Sequence, residues 1–292
     1  MNLDQVLNMP PAITRGTYDK RDTMLYALGV GVGPGVGTGT DPEDLRFVYE
    51  EGLIALPTMA VVVAGGRFWL KDPQFAIDWK RILHGEQSVE FHRTLPVAGT
   101  VRSEATVDRV IDKGAQKGAL LYIKRRIFDD ASDELLATVM QAIFLRGDGG
   151  CGGSDGPQPV PHPVPAAEPD RAVRFETRPE QALLYRLSGD YNPLHADPAI
   201  AAEAGYPRPI LHGLCTYGMA GRAILKELCG NDPARMKRLD CRFSAPVFPG
   251  ETVEVLIWRE GVEGGVGRAA FQAYVREREA LVLNNGYAEY LA

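Results

Sequence analysis

The chain has 292 residues, 45% of them hydrophobic, with 32 Lys and Arg against 38 Asp and Glu and a formal charge of −6. That length admits two domains or one large one, with apolar content sufficient for a real core. The acidic balance supplies no basic stripe for a phosphate backbone, which excludes a nucleic-acid binder.

At the N-terminus, Asp4, Arg15, Asp19 and Lys20 interrupt the apolar residues, so neither a signal peptide nor a bilayer span is expected there. The final residues, Glu289 to Ala292, form no Ser-Lys-Leu type peroxisomal signal. Cys151, Cys215, Cys229 and Cys241 share no metal-ligand spacing and do not resemble a disulfide framework. A cytoplasmic protein without membrane contact is therefore expected.

The glycine-rich run from Gly29 to Gly39 has no Gly-x-Gly-x-x-Gly register and no following Gly-Lys-Ser/Thr, so it is not a phosphate loop. Residues 100–110, 119–128 and 135–145 read as strands, with a turn near Asp129 and Asp130. From Gly147 to Pro169 the composition is mostly Gly, Pro, Ala, Ser and Asp, too poor in apolar surface to offset its ordering entropy. A linker over 147–172 is expected, dividing 1–146 from 173–292. Its Gly152-Gly153-Ser154-Asp155-Gly156 matches the Gly-x-Ser-x-Gly elbow only formally, since that chemistry needs a strand before the serine and a helix after it.

The most informative stretch runs from Tyr185 to Ala201. Gly189, Asn192 and Pro193 oppose regular structure, so Asp190 and His195 fall on a tight loop. Asp197 offers an N-cap, Pro198 a first helical residue and Gly205 a stop, which predicts a short helix over 198–204. A long apolar helix follows over about 214–228. Its Gly218 and Gly221 each cost about 1 kcal/mol relative to Ala, a cost that close approach to a wrapping sheet would offset. Gly213 opens this helix, where free N–H groups and the dipole would polarise a docked carbonyl. Residues 252–258 and 270–276 alternate as strands, and the glycines between them predict an antiparallel hairpin.

The two halves echo one another. Tyr26-Ala27-Leu28-Gly29 parallels Tyr185-Arg186-Leu187-Ser188, Asp41-Pro42 parallels Asp197-Pro198, and Leu95 to Val101 parallels Ala245 to Val253. Residues 27–40 hold no Asp, Asn or His, so the first copy cannot repeat the loop's chemistry.

Tyr185, Leu187, Ser188, Gly189, Asp190, Asn192, Pro193, Leu194, His195 and Ala201 fill every fixed position of a known signature. The chain thus resembles the (R)-specific enoyl-CoA hydratases, the hydratase 2 group of MaoC-like dehydratases. The resemblance implies an α+β double hot-dog fold, two antiparallel sheets each wrapping a helix. It implies (R)-specific, reversible hydration of a trans-2-enoyl-CoA, with Asp190 and His195 as an acid–base dyad, Asn192 orienting the water or the dyad, and the Gly213 N–H as oxyanion donor. Which of Asp190 and His195 acts as base the sequence leaves open. His84, Gly85, Lys113 and Phe243 match acyl-CoA contact positions.

The same resemblance implies no cofactor beyond the CoA of the substrate, and a homodimer. A first copy without its helix would leave room for medium-to-long or branched acyl chains, walled by Ala60 to Ala64, Phe68 and Trp69. A thioesterase, a 3-hydroxyacyl-ACP dehydratase and a non-catalytic acyl-thioester binder are the rival readings. No His-x-x-x-His or Cys-x-x-Cys pattern supports a metal site, so Asp190, His195 and Asp197 are not expected to be ligands.

Overall fold

A computed structural model describes residues 1–33, 42–153 and 157–292. Part of the glycine-rich run, Asp41, and Ser154 to Gly156 of the Gly-x-Ser-x-Gly match lie outside the described residues. Among the described residues ten strands form in chain order: β1 (Ala12–Tyr18), β2 (Ile82–Phe91), β3 (Gly99–Asp112), β4 (Ala119–Asp129), β5 (Leu135–Leu145), β6 (Arg171–Glu176), β7 (Met236–Phe243), β8 (Thr252–Glu263), β9 (Val266–Val275) and β10 (Ala280–Leu291). The helices are α1 (Leu3–Leu7), α2 (Lys20–Gly29), α3 (Pro42–Val48), α4 (Gln181–Tyr185), α5 (Pro198–Glu203) and α6 (Gly213–Cys229). The three strands expected in the first half and the β8–β9 hairpin are all present, the hairpin paired antiparallel from Val253↔Val275 outward.

The double hot-dog architecture is present, and its two sheets are continuous. β2 and β7 pair antiparallel from Glu86↔Arg242 to Glu90↔Arg238, which joins them in the order β1-β3-β4-β5-β2-β7-β10-β9-β8-β6. Closing two sheet edges against each other satisfies backbone groups that would otherwise invite foreign strands. The Glu86–Arg242 ion pair crosses this seam.

Among the described residues, only the second half wraps a long helix. Thirteen of the 17 residues of α6 are buried, so it is a core rod and not an amphipathic surface helix. The expected close approach occurs, but from a different quarter. A Cβ on Gly218 would collide with Val30, and one on Gly221 with Thr58, both from the first half, with Leu239 of β7 the nearest sheet residue.

In the first half a 3₁₀ turn, Pro57–Val61, packs against β2, β5 and α6. The buried Arg125 guanidinium of β4 donates to the carbonyls of Ala60 (3.0 Å), Val61 (2.8 Å) and Val63 (2.5 Å). A cation thus meets backbone acceptors that a longer helix would have satisfied internally.

The echoed segments meet. Tyr26 of α2 and Tyr185 of α4 face each other with ring centroids 6.0 Å apart, and Gln181 Nε2 donates to Leu28 and Gly29 carbonyls. No helix or strand lies between β5 and β6 among the described residues, yet residues 162–167 of this segment are pinned to the sheet face away from the core. Val164 packs on Leu256, Trp258 and Ala270, Trp258 Nε1 donates to the Ala167 carbonyl, and Asn285 Nδ2 to that of His162. The groups that hold it come from distant strands, which composition alone does not reveal. Among the described residues no helix is long and apolar enough to cross a membrane.

Candidate active site

The loop after α4 is built to project two side chains. A 3₁₀ turn, Arg186–Ser188, ends at Gly189, whose φ of +117° reverses the chain. Glycine is required there because that conformation strains any residue with a Cβ. The Asp190 carboxylate accepts from the Asn192 amide at 3.2 Å, and Asn192 Oδ1 accepts from Leu194 N at 3.1 Å, capping the turn Pro193–His195. Asp197 then caps α5 through the Ala199 amide, as its sequence position suggested.

His195 is buried and half-buried Asp190 stands beside it. His195 Nδ1 lies 2.8 Å from the Ile210 carbonyl. A carbonyl only accepts, so Nδ1 carries the proton and the neutral ring keeps its lone pair on Nε2. Burial pushes the His195 pKa below its ordinary 6.5, against the pull of the Ile210 carbonyl and the Asp190 charge, so this base form prevails at neutral pH.

A second imidazole, which the sequence reading passed over, completes the cluster. His212, 1% exposed, is the N-cap of α6 and stacks on His195 with centroids 3.7 Å apart and planes 27° from parallel. Its Nε2 donates to the Asp190 main-chain carbonyl at 3.1 Å, which leaves Nδ1 as the bare nitrogen, buried without a partner. Burial, then the neighbouring His195, lower its pKa. The fully buried Tyr185 ring backs it at 5.0 Å. The only local signal for His212 was its place directly before Gly213.

Gly213 is the first residue of α6 and is exposed, so its N–H has no intrahelical acceptor. The Phe243 ring lies 3.1 Å from where a Gly213 Cβ would stand. Phe243 in turn packs on His84, ring centroids 4.8 Å apart. His84 Nε2 is buried and unpartnered, and burial takes its pKa down to about 4 despite the Asp190 charge. Gly85 sits at the irregularity between His84 and Glu86 in the β2–β5 ladder, where a Cβ would press on the Ala142 carbonyl.

Asp190, His195, Gly213, Phe243, His84 and Gly85 are thus brought together from both halves. Asn192 is exposed, with its oxygen committed to the turn. Lys113 stands apart on the exposed turn after β3, its Nζ 5.9 Å from the Phe144 ring.

A cavity of about 230 Å³ adjoins the loop, lined by Tyr18, Tyr26, Met59 and Val62 of the first half and by Leu187 and Gly189. Of the expected wall Ala60 to Ala64, Val62, Val63 and Ala64 line this cavity and Ala60 and Val61 do not, while Phe68 and Trp69 pack elsewhere, on Trp79 and Phe75. Among the described residues the nearest approach to a metal-ligand set is Asp190, His195 and His212, whose donor atoms lie within 4.8 Å of one another. Face-to-face stacking keeps the in-plane lone pairs of the two rings from converging, unlike the tetrahedral sites that histidines build. All four cysteines are free.

The fold and the residues gathered here define a hot-dog protein with a candidate acid–base site. Comparison with known proteins narrows it. The MaoC like domain matches residues 161–280, and the MFE-2 hydratase 2 N-terminal domain matches residues 17–147. The chain is 39% identical to the peroxisomal enoyl-CoA hydratase 2 of Arabidopsis thaliana, over 99% of this chain and 95% of that protein. It is 41% identical to 3-hydroxyacyl-thioester dehydratase Y of Mycobacterium tuberculosis, over 93% of this chain and 92% of that one. The crystal structure of a MaoC-like dehydratase from Phytophthora capsici superposes with a TM-score of 0.85 at 39% identity, covering 99% of both chains. The chain belongs to the MaoC-like dehydratase family, in its enoyl-CoA hydratase 2 group, and is a hydro-lyase.

Proposed function

We propose that the protein adds water reversibly across trans-2-enoyl-CoA thioesters to give (3R)-3-hydroxyacyl-CoA. The observation that carries this reading is the approach of Asp190 to His195, whose bare Nε2 accepts a proton, beside the open Gly213 amide. Hydration needs a nucleophile at C3, a proton at C2 and stabilisation of enolate-like charge on the thioester oxygen. With a carboxylate and a neutral imidazole nitrogen both acting as acceptors, one water donates a hydrogen to each and is held for attack. The proton it gives up rests on the dyad and returns to C2, so the step is redox-neutral and calls for no cofactor. Gly213 N–H receives the developing oxyanion. General acid–base help of this type is worth roughly 10²–10⁴-fold, and one oxyanion donor about 3 kcal/mol.

In this reading Asn192 orients the loop through its turn, and His84, Gly85 and Phe243 bind the thioester end where the two halves meet. Lys113 pairs with a CoA phosphate as a point charge. The acyl chain alone would enter the cavity, whose volume is somewhat below the roughly 300–1,000 Å³ of a typical whole-ligand pocket and whose lining ends at Gly189, next to Asp190. We propose medium-to-long or branched chains, the short 3₁₀ turn in place of a helix leaving the room. For assembly we propose a homodimer of twice the 31.9 kDa chain mass, and for address the cytoplasm, in keeping with the free cysteines.

Incubation with trans-2-decenoyl-CoA, followed by chiral analysis and a thiol assay, tests the reaction. Loss of the conjugated-thioester absorbance with a (3R) product and no free thiol is expected. A (3S) product, or release of CoA as a thioesterase would give, contradicts it.

A further inference from the structure

We infer that His212 is a positioning residue that locks the Asp190 loop, the His195 ring and the Gly213 amide into one arrangement. The inference rests on the roles proposed above for those three residues and adds the part that aligns them. Its Nε2 donates to the Asp190 carbonyl at 3.1 Å. Its ring lies flat on that of His195, 3.7 Å between centroids. Its own backbone caps α6 and is bonded directly to Gly213.

Packing alone does not explain a histidine here. The space between Tyr185 and His195 would accept an apolar ring, whereas histidine leaves Nδ1 buried without a partner, a cost in stability. Such a cost is tolerated where a position serves function. The combination it supplies is specific: a flat face for His195 and, on the ring edge, a donor for Asp190. The Asp190 loop needs that donor because it emerges past Gly189, and the other ties of its first residues are local, from the Arg186 guanidinium to the Tyr191 carbonyl and from the Asn192 amide to the Asp190 carboxylate. His195 is already held at one edge by Ile210, and the stack fixes the remaining rotation that aims Nε2.

His212→Phe keeps a flat ring and removes the donor, while His212→Gln keeps a donor and removes the ring. Both should lower kcat about 10- to 100-fold, the scale of a misplaced catalytic group. KM should stay within about threefold, since binding contacts are untouched. In ¹⁵N-histidine spectra of the wild type, His195 should carry its proton on Nδ1 and His212 on Nε2. Wild-type kcat in both variants overturns the inference, as does a His212 proton on Nδ1, which can be read even if the variants fail to fold. Asp190→Asn serves as the control. If it abolishes turnover while both His212 variants are unimpaired, only this inference falls. If Asp190→Asn itself turns over normally, the dyad and its positioning residue fall together.

Discussion

At the scale of single residues, two backbone carbonyls decide how the site is protonated. Ile210 fixes the proton of His195 on Nδ1, and Asp190 fixes that of His212 on Nε2. The pH dependence follows from burial. His84, His195 and His212 all have pKa values lowered from 6.5, His84 to about 4. The base form of His195 therefore survives below pH 6.5, and kcat/KM should begin to fall only below that value. For stability, the unfolded chain binds protons below 6.5 that the folded chain refuses, so stability is fullest above 6.5 and declines as pH drops towards the folded values. Urea midpoints measured between about pH 7 and 5, above most carboxylate titrations, should fall steadily. A flat or rising trend would contradict this.

The Asp190–His195 loop was legible in the sequence because its geometry is local: Gly189, Asn192 and Pro193 dictate a turn within six residues. His212 was not, because its stack on His195 crosses 17 positions of chain and depends on where α6 begins.

Among elements, the long helix was read to within a residue at each end, and its two glycines were marked as sites of close approach. The wrapping sheet supplies only Leu239 of β7, against Gly221, and the tightest contacts come from elsewhere, since sequence spacing does not say which remote segment arrives. Val30 and Thr58 arrive from the first half, so the glycines bind the halves together. This predicts a sign. Helix propensity alone favours Gly221→Ala by about 1 kcal/mol, but forcing a methyl into a full core costs about 1–3 kcal/mol. Because the added Cβ meets Thr58 closely and Leu239 at 3.1 Å, the second effect should win. A denaturation curve should show a less stable variant, and a stabilised one would mean that the halves are packed more loosely there.

Over the whole molecule, repetition explains both what is present and what is lacking. The duplicated segments predicted two copies of one unit, the first without the loop's chemistry, and Tyr26 and Tyr185 do meet where the copies join. The edge pairing of β2 with β7 escaped the sequence reading, because a strand's alternation reports which face is buried and says nothing about its neighbour. The first copy supplies the His84 side of the site and most walls of the cavity, while both members of the proposed acid–base pair come from the second. With no Asp, Asn or His in residues 27–40, no second dyad exists to compensate for a lost one. The most direct measurement is therefore kcat/KM on a trans-2-enoyl-CoA for Asp190→Asn and His195→Ala, each checked for native folding. Both should fall by about 10²–10⁴-fold, and turnover near that of the wild type in either variant would contradict the dyad.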